Sequence, residues 1–536
     1  MLPIGRGGQV WMPSVVGIAD DGSLAVGEEA EQSIPDSRLL VSVKSLLGQG
    51  DETVEMEGPD GAHVTVAVDD AVGTILAEAI RRAREPGNDS EAFGAEGIQF
   101  HLSCPANWEG ASRRRLTAIA SDLGLPVGVL DVVDEPTAAG ISWIYGNVDS
   151  GSPLPVGTTL VVDFGGGTVD VAVIEVSQPS AEGRPGITVL AADALQRAGD
   201  DLDLAVARFA LVHQLPGSEE TDFEDLGEGL QKQLRLTARD LKHQLTDNLN
   251  ASIRLRGVLG NDAPILTLTR SELDDRFRPQ LEAVDILIRS VIRSARLRQS
   301  EELQRAAVVN LTDEDLATSI SHVLLAGGMS RVVALGEHLQ RWFPRSMVVV
   351  DEVVGPRECS VVIGLGHDED VSELNMHRPA FDIVASFSRS ERADEATGET
   401  VVYEAFTRII RVEDTMIQQF GFGYSFDLNA PSRSNGWSVF LHFRAPEGDP
   451  RPIPFQLDGE TERYLPVDLD NQGKGRFILY VNGRLLVTAG GTQLVARMRR
   501  WPVVRGSDGP PRLELEVVQR PTSGPQPDPG WWHGGE

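Results

Sequence analysis

Asp163-Phe164-Gly165-Gly166-Gly167-Thr168-Val169-Asp170 carries the clearest chemistry in this chain of 536 residues. It lies between two apolar runs, Thr159-Leu160-Val161-Val162 and Val171-Ala172-Val173-Ile174-Glu175-Val176. Strand, glycine turn and strand is the simplest expectation. Three successive residues without Cβ let backbone N–H groups approach an anion closely. The Thr168 hydroxyl adds a donor. Asp163 and Asp170 flank the turn and suit a hydrated Mg2+, which takes carboxylates, water and phosphate oxygens as ligands. The stretch reads as a phosphate clamp for a nucleotide.

Other readings compete for the same residues. A glycine-rich turn is often only a turn. The dinucleotide fingerprint G-x-G-x-x-G fails, because Asp170 stands where its last glycine belongs. Asp163-Phe164-Gly165 spells the metal-binding triplet of protein kinases, but no His-Arg-Asp catalytic loop precedes it. Gly328-Met329-Ser330-Arg331 begins like a nucleophile elbow and then puts Val332 at the second glycine.

Composition narrows the function classes. The chain carries 48 basic and 80 acidic residues, a net charge of −32. That argues against a broad nucleic-acid or anionic-membrane surface. Two cysteines, Cys104 and Cys359, make neither a disulfide framework nor a C-x-x-C site. No uninterrupted apolar run is long enough for a membrane helix, and Met1 to Gly8 has no signal core. A cytoplasmic location is the expectation. The length calls for two or three domains.

The elements that must position the clamp follow from pattern. Up to about residue 370, strands alternate with helices, which means an α/β domain. Val64–Val68 reads as a strand, followed by a helical stripe of Val72, Ile75, Leu76, Ala79 and Ile80. Residues 99–104 read as a strand ending at Pro105. Ser271 with Asp274 is a capping-box pattern opening a long helix through about Leu297, which Pro279 is expected to break or kink. His322–Ala326 reads as a short buried strand. After about His377 the pattern turns to alternation: Trp437, Val439, Leu441 and Phe443, then Leu513, Leu515 and Val517. Asn482-Gly483 predicts a two-residue type I′ hairpin between Phe477–Val481 and Arg484–Thr488. Residues 380–518 therefore read as all-β, and 519–536, rich in Pro and Gly, as a disordered tail.

Several motifs fall in one order. Lys44 stands in Val41-Ser42-Val43-Lys44-Ser45-Leu46-Leu47-Gly48, and Glu135 in Val133-Asp134-Glu135-Pro136-Thr137-Ala138-Ala139-Gly140. The clamp at 163–170, Gly199-Asp200-Asp201-Leu202-Asp203 and Leu325-Ala326-Gly327-Gly328-Met329-Ser330-Arg331 follow. This ordered set resembles the nucleotide-binding domain of the 70-kDa heat-shock chaperone family, among the actin-like ATPases. The opening Met12 to Gly22 is similar to that family as well.

The resemblance implies an actin-like two-lobed nucleotide-binding domain over 1–370, a linker over 371–379 and a β-sandwich-like substrate domain over 380–518. It implies ATP or ADP with Mg2+ as cofactors. Asp163 and Asp170 would sit by the metal, and Gly165, Gly166, Gly167 and Thr168 would face the phosphates. Lys44, Glu135, Asp163 and Thr168 would form the catalytic set, with Lys44 neutralising phosphoryl charge and Glu135 polarising the attacking water. Gly327, Gly328 and Arg331 would bound the adenosine, Gly199 would approach from the other lobe, and Lys242 and Thr246 would lie on the adenine side. Outside that context Lys44 reads as a solvated surface group, Lys242 and Thr246 as a solvated helix face, and Glu135 before Pro136 as a helix cap.

The sequence also departs from the family. Only Met1 to Trp11 precede the Pro13-Ser14 segment, so the family's first Asp-x-Gly-Thr-Thr hairpin is missing as written, through a misplaced start or a truncation. Arg239 and Arg357 replace a family glutamate and aspartate, the acidic segment His367–Leu374 is barely apolar, and no helical lid follows the β region. The leading expectation is an ATP-dependent chaperone in protein folding and stress response. Its partners would be extended or unfolded polypeptides and co-chaperones, with no nucleic acid and no membrane. The alternative is a non-catalytic nucleotide-binding interaction protein with a dedicated partner. A small-molecule kinase on the same scaffold fits the motifs poorly.

Overall fold

A computed structural model of the chain describes residues 4–85, 100–179, 184–215, 217–218, 220–255, 264–299, 308, 310–350, 356–367, 371–390, 392–409, 423–430, 437–448, 450–467, 469, 473–489, 492–500 and 513–519. Its central sheet runs in the order Met347–Val350, His322–Ala326, Gly157–Phe164, Val169–Ser177, Gly186–Leu195, Ser372–Asn375. Gly157–Phe164 and Val169–Ser177 are buried along nearly their whole length, because both sheet faces are covered. Leu160, Val162 and Phe164 pack with the helices Gly199–Gln214, Glu228–Asp247 and Arg270–Gln299 on one face. Val161, Ala172 and Ile174 pack with Ile141, Trp143 and Ile144 of the helix Glu135–Asp149 on the other.

The amino-terminal part has a separate core. A small sheet pairs Val16–Ile18 with Leu24–Val26 and Leu39–Leu40, and the hairpin Thr53–Glu57/His63–Ala67 lies nearby in sequence. Val16, Ile18, Leu47, Val68 and Leu116 of this region bury one another. Beyond residue 380 the described elements are strands and one short 3-10 turn. They form two sheets, one ordered Gly398–Tyr403, Asp382–Ser388, Ser438–Arg444, Leu465–Val467. The other runs Gly423–Asn429, Lys474–Tyr480, Arg484–Ala489, Thr492–Arg500, Leu513–Gln519, Phe455–Leu457, Glu460–Glu462. Ile383, Leu441 and Phe443 of the first share a core with Phe477, Leu479 and Leu513 of the second. Among the described residues no helix is long and apolar enough to cross a membrane.

Several local expectations are corrected. The long helix Arg270–Gln299 opens two residues earlier than the Ser271/Asp274 pattern allows. Its box is Thr269 and Glu272: Thr269 N–H and Oγ1 both donate to Glu272 Oε2 at 2.8 Å, and Glu272 N–H returns to Thr269 Oγ1 at 3.2 Å. Pro279 lies inside this helix without ending it, since Phe277 on one side and Val284 on the other stay anchored in the same core. The strand before Pro105 is shorter than expected, Leu102–Cys104, and residue 99 lies outside the described residues. The Asn482-Gly483 turn is not type I′. Gly483 alone has a positive φ, +78°, and its N–H donates to Tyr480 O at 2.9 Å. That is a three-residue loop closed by a left-handed glycine. The segment 371–379 holds a strand, Ser372–Asn375, parallel to Gly186–Val189. The expected tail lies outside the described residues except Gln519.

Candidate functional site

The clamp is built by register. Gly157–Phe164 and Val169–Ser177 pair antiparallel so that Asp163 faces Asp170 and Phe164 faces Val169. Gly165 N–H donates to Thr168 O at 3.0 Å and closes the connection. A second segment docks on its tip: Gly199 N–H donates to Gly165 O at 3.2 Å, and Asp200 N–H to Gly166 O at 2.9 Å. None of Gly165, Gly166 and Gly167 has a left-handed φ. A Cβ on Gly167 would meet nothing within 4 Å, and one on Gly165 or Gly166 would meet only Thr168 O at 3.5 Å or Asp200 Oδ1 at 3.6 Å. The protein's own packing therefore does not require glycine there. Side chains would instead fill the cradle in front of the loop, so the residues present fit a phosphate that approaches the backbone closely.

Lys44 reaches the same place from the helix Val43–Gln49. Its Nζ donates to Glu135 Oε1 and Oε2, each at 2.9 Å. Glu135 is the first residue of Glu135–Asp149, where Pro136 fits the first turn. Protein hems Lys44 in, yet 45% of its side-chain surface meets solvent, against 12% for Glu135, as on a cleft wall. Burial pulls the Lys44 ammonium down, but Glu135, then Asp170 and Asp163, hold it above its usual range. Asp163 and Asp170 are 7% and 1% exposed. Burial first, and Glu135's charge second, push Asp163 up to about 7 against the pull of Lys44. The same two causes raise Asp170 well above the usual carboxylate range, although Lys44 and the Ala106 N–H, 2.7 Å from Oδ1, oppose them.

Three acidic side chains thus share one ammonium, an excess of negative charge that fits a divalent cation. Among the described residues no three His, Cys, Asp or Glu converge to hold a metal by themselves. Mg2+ commonly takes one or two carboxylates and fills its shell with water and phosphate.

Gly327 and Gly328 follow the strand His322–Ala326. Gly327 has φ +76°, and a Cβ there would lie 2.4 Å from Asp163 Oδ1 and 2.5 Å from Phe164 O, so only glycine lets this turn approach the clamp. A Cβ on Gly328 would make an ordinary 3.5 Å contact with Glu358. Arg331 pairs with Glu358, Nη2 to Oε2 at 3.2 Å. Lys242 is buried and bonded to Asp203 Oδ1 at 2.7 Å and to Gly199 O at 3.3 Å, so it ties two helices together beneath the second loop. Thr246 turns its hydroxyl to His243 O of its own helix at 2.7 Å, and Arg270 takes its carbonyl.

Sequence reading missed the partners. Asp203 stands in the quoted Gly199 motif and Glu358 beside Arg357, but nothing in either spacing announced its ion pair. Arg239 bonds Glu31 at 2.8 Å, Arg235 bonds Asp36, and Ser37 donates to Glu228 at 2.9 Å. These contacts bridge the segment around residues 31–37 to the helix Glu228–Asp247, about 200 positions away. Opposite charge was the only available signal.

Comparison with known proteins adds a second line of evidence. A family model described as Hsp70 protein matches residues 6–375. The chain is 24% identical over 392 residues to a chaperone protein HscA homolog of Methylobacillus flagellatus, covering 69% of this chain and 56% of that protein. It is 25% identical over 365 residues to the chaperone protein DnaK of Thermotoga petrophila, covering 66% and 54%. An HscA homolog of Laribacter hongkongensis is 29% identical over 302 residues, covering 53% and 44%. The matches thus span about half the length of these relatives.

Proposed function

This chain belongs to the Hsp70 protein family, and from that premise we propose that it is an ATP-dependent molecular chaperone that binds Mg-ATP and extended apolar polypeptide. The Lys44–Glu135 pair beside Asp163 and Asp170, at the mouth of the glycine loop, carries this reading. The proposed division is an actin-like two-lobed nucleotide domain over 1–370, a linker over 371–379 and a β-sandwich-like substrate domain over 380–518. Two sheets sharing one core support the last assignment. Co-chaperones and a cytoplasmic setting belong to the same proposal.

When bound, Mg-ATP supplies the phosphoryl group for transfer to water and the cation that neutralises it. The N–H groups of Gly166 and Gly167 and the Thr168 hydroxyl would donate to phosphate oxygens, while Gly165 N–H stays with Thr168 O and holds the loop's shape. Asp163 and Asp170 would hold the hydrated cation. Glu135 takes a proton from the attacking water at a carboxylate oxygen, and Lys44 Nζ offsets the developing charge. Gly327 and Gly328 would bound the nucleoside, with the Arg331 guanidinium, held by Glu358, available to its base, and Lys242 fixes Gly199 through its carbonyl. In the β region, strand-like contacts give affinity for extended peptide.

ATP turnover by the chain, K44A and E135Q tests this reading. A loss of turnover in both variants supports it, and equal turnover in all three removes the assignment.

One observation favours a second reading, a nucleotide-binding interaction protein without hydrolysis. Lys44 already engages both oxygens of Glu135, so each catalytic group neutralises the other. Nucleotide binding without turnover would select that reading.

A further inference from the structure

Where the core of the central sheet meets the core of the β region, the chain buries cationic donors that have no hydrogen-bond partner among the described residues. The helix Arg270–Gln299 spans about 45 Å and serves both cores: Val284, Ile288 and Val291 pack in the first, Leu297 in the second. The next residue, Arg298, is 3% exposed, and its Nε, Nη1 and Nη2 all lack a hydrogen-bond partner. Burial pushes this guanidinium down to about 9, so it stays charged at neutral pH.

Two neighbours share the condition. His377 is 3% exposed and neither ring nitrogen is hydrogen-bonded; the Ala192 backbone lies near enough to favour the charged ring, short of a hydrogen bond. Arg378 is fully buried, and its Nη atoms engage Trp108 O and Ala106 O while Nε has no partner. Burial and the fields of Arg378, Arg298 and Arg408 keep His377 neutral.

The ion pairs formed by the carboxylates Asp134, Glu109 and Asp193 are with Arg113, Arg378 and Arg408, and among the described residues none is with Arg298. Asp134 bonds Arg113 and lies 3.6 Å from Arg378. Arg408 takes Glu109 at 3.4 Å and Asp193 at 3.0 Å. Among the described residues Tyr403 is the one group that favours the charged form of Arg298, and its hydroxyl is committed to Thr407 O at 2.6 Å. A charge taken out of water without a partner is strongly unfavourable. Asp134 Oδ2 is an unmet acceptor beside Arg113 and Arg378, and the neutral His377 ring offers one acceptor, but the three unmet nitrogens of Arg298 are donors only, so what satisfies them is an acceptor with negative charge.

We propose that the junction between the central-sheet core and the β-sheet core binds a small oxyanion, phosphate or carboxylate, through Arg298 and His377. This site is separate from the glycine clamp and does not depend on the clamp holding a nucleotide.

Equilibrium dialysis of the full chain against labelled inorganic phosphate, and separately acetate, at constant ionic strength in chloride tests it. The unsubstituted chain and G167A bind phosphate, acetate or both at this site, while R298M loses affinity by about tenfold or more. R298K, which keeps the charge but not the planar fork, weakens binding too. Whichever anion binds identifies the oxyanion. Thermal melting checks folding: R298M melts in chloride no lower than the unsubstituted chain but loses the rise that the bound anion gives. Binding unchanged in R298M, binding lost in G167A instead, or no binding of either anion by the unsubstituted chain overturns the proposal.

Discussion

Lys44 Nζ lies 2.9 Å from each carboxylate oxygen of Glu135, although the two residues are 91 positions apart. The pair joins the first turns of two helices, Val43–Gln49 and Glu135–Asp149, and places an ammonium among three carboxylates. Lys44 thereby limits the repulsion that Glu135 exerts on Asp163 and Asp170.

Removing Lys44 should separate chemistry from folding. Its side chain is 45% exposed, so K44A should change stability by less than about 1 kcal/mol. ATP turnover should fall by about a hundredfold or more, the loss expected when a transition-state charge loses its partner. Single-turnover hydrolysis beside urea denaturation reads both quantities.

The acid titration of Asp163 predicts a pH dependence. Its folded value is about 7, raised by burial and Glu135, while an unfolded aspartate titrates near 3.9. The folded chain thus holds an extra proton between those values. The stabilisation is full below about 4 and is lost as pH rises through about 7, at up to about 1.4 kcal/mol per pH unit. Asp170 acts in the same direction. Melting of the nucleotide-free chain from pH 5 to 8 should show this decline, and D163N should flatten it.

Gly327→Ala should damage the fold itself. A side chain at φ +76° must also fit 2.4 Å from Asp163 Oδ1, so about 2 kcal/mol or more of stability should be lost. Gly328→Ala, with only a 3.5 Å contact to make, should cost less than about 1 kcal/mol. Denaturant midpoints of the two variants give the comparison.

Arg378→Ala should loosen the attachment between the two cores. Arg378 is fully buried, binds the Trp108 and Ala106 carbonyls and lies 3.6 Å from Asp134. Breaking a buried, hydrogen-bonded charge costs about 3–5 kcal/mol. Hydrogen exchange should rise around Ala106, Trp108 and Asp382–Ser388, and unchanged exchange there would contradict the role given to Arg378.

The parts legible in the sequence are those that a local pattern decides. The strands around the glycine turn follow from two apolar runs and three glycines, and His322–Ala326 from five apolar-rich residues before Gly327. Where two local patterns overlap, reading failed. Thr269/Glu272 and Ser271/Asp274 are both acceptable boxes, and the choice rests on which hydroxyl faces the first turn. At Asn482-Gly483 the dipeptide suited a two-residue loop, while the strand register added Val481 to it. Long-range pairings were illegible. The Lys242–Asp203 pair, the Glu31–Arg239 contact and the addition of Ser372–Asn375 to the sheet edge depend on how helices and strands pack, and no spacing encodes that.

Calorimetric titration of Mg-ATP into the unsubstituted chain and G167A tests the central claim most directly. A Cβ on Gly167 meets nothing in the protein within 4 Å, so G167A should fold with unchanged stability. The unsubstituted chain is predicted to bind one nucleotide, and G167A to bind it about tenfold or more weakly. Equal affinity in two equally stable proteins, or no binding by the unsubstituted chain, would contradict a phosphate clamp at this loop.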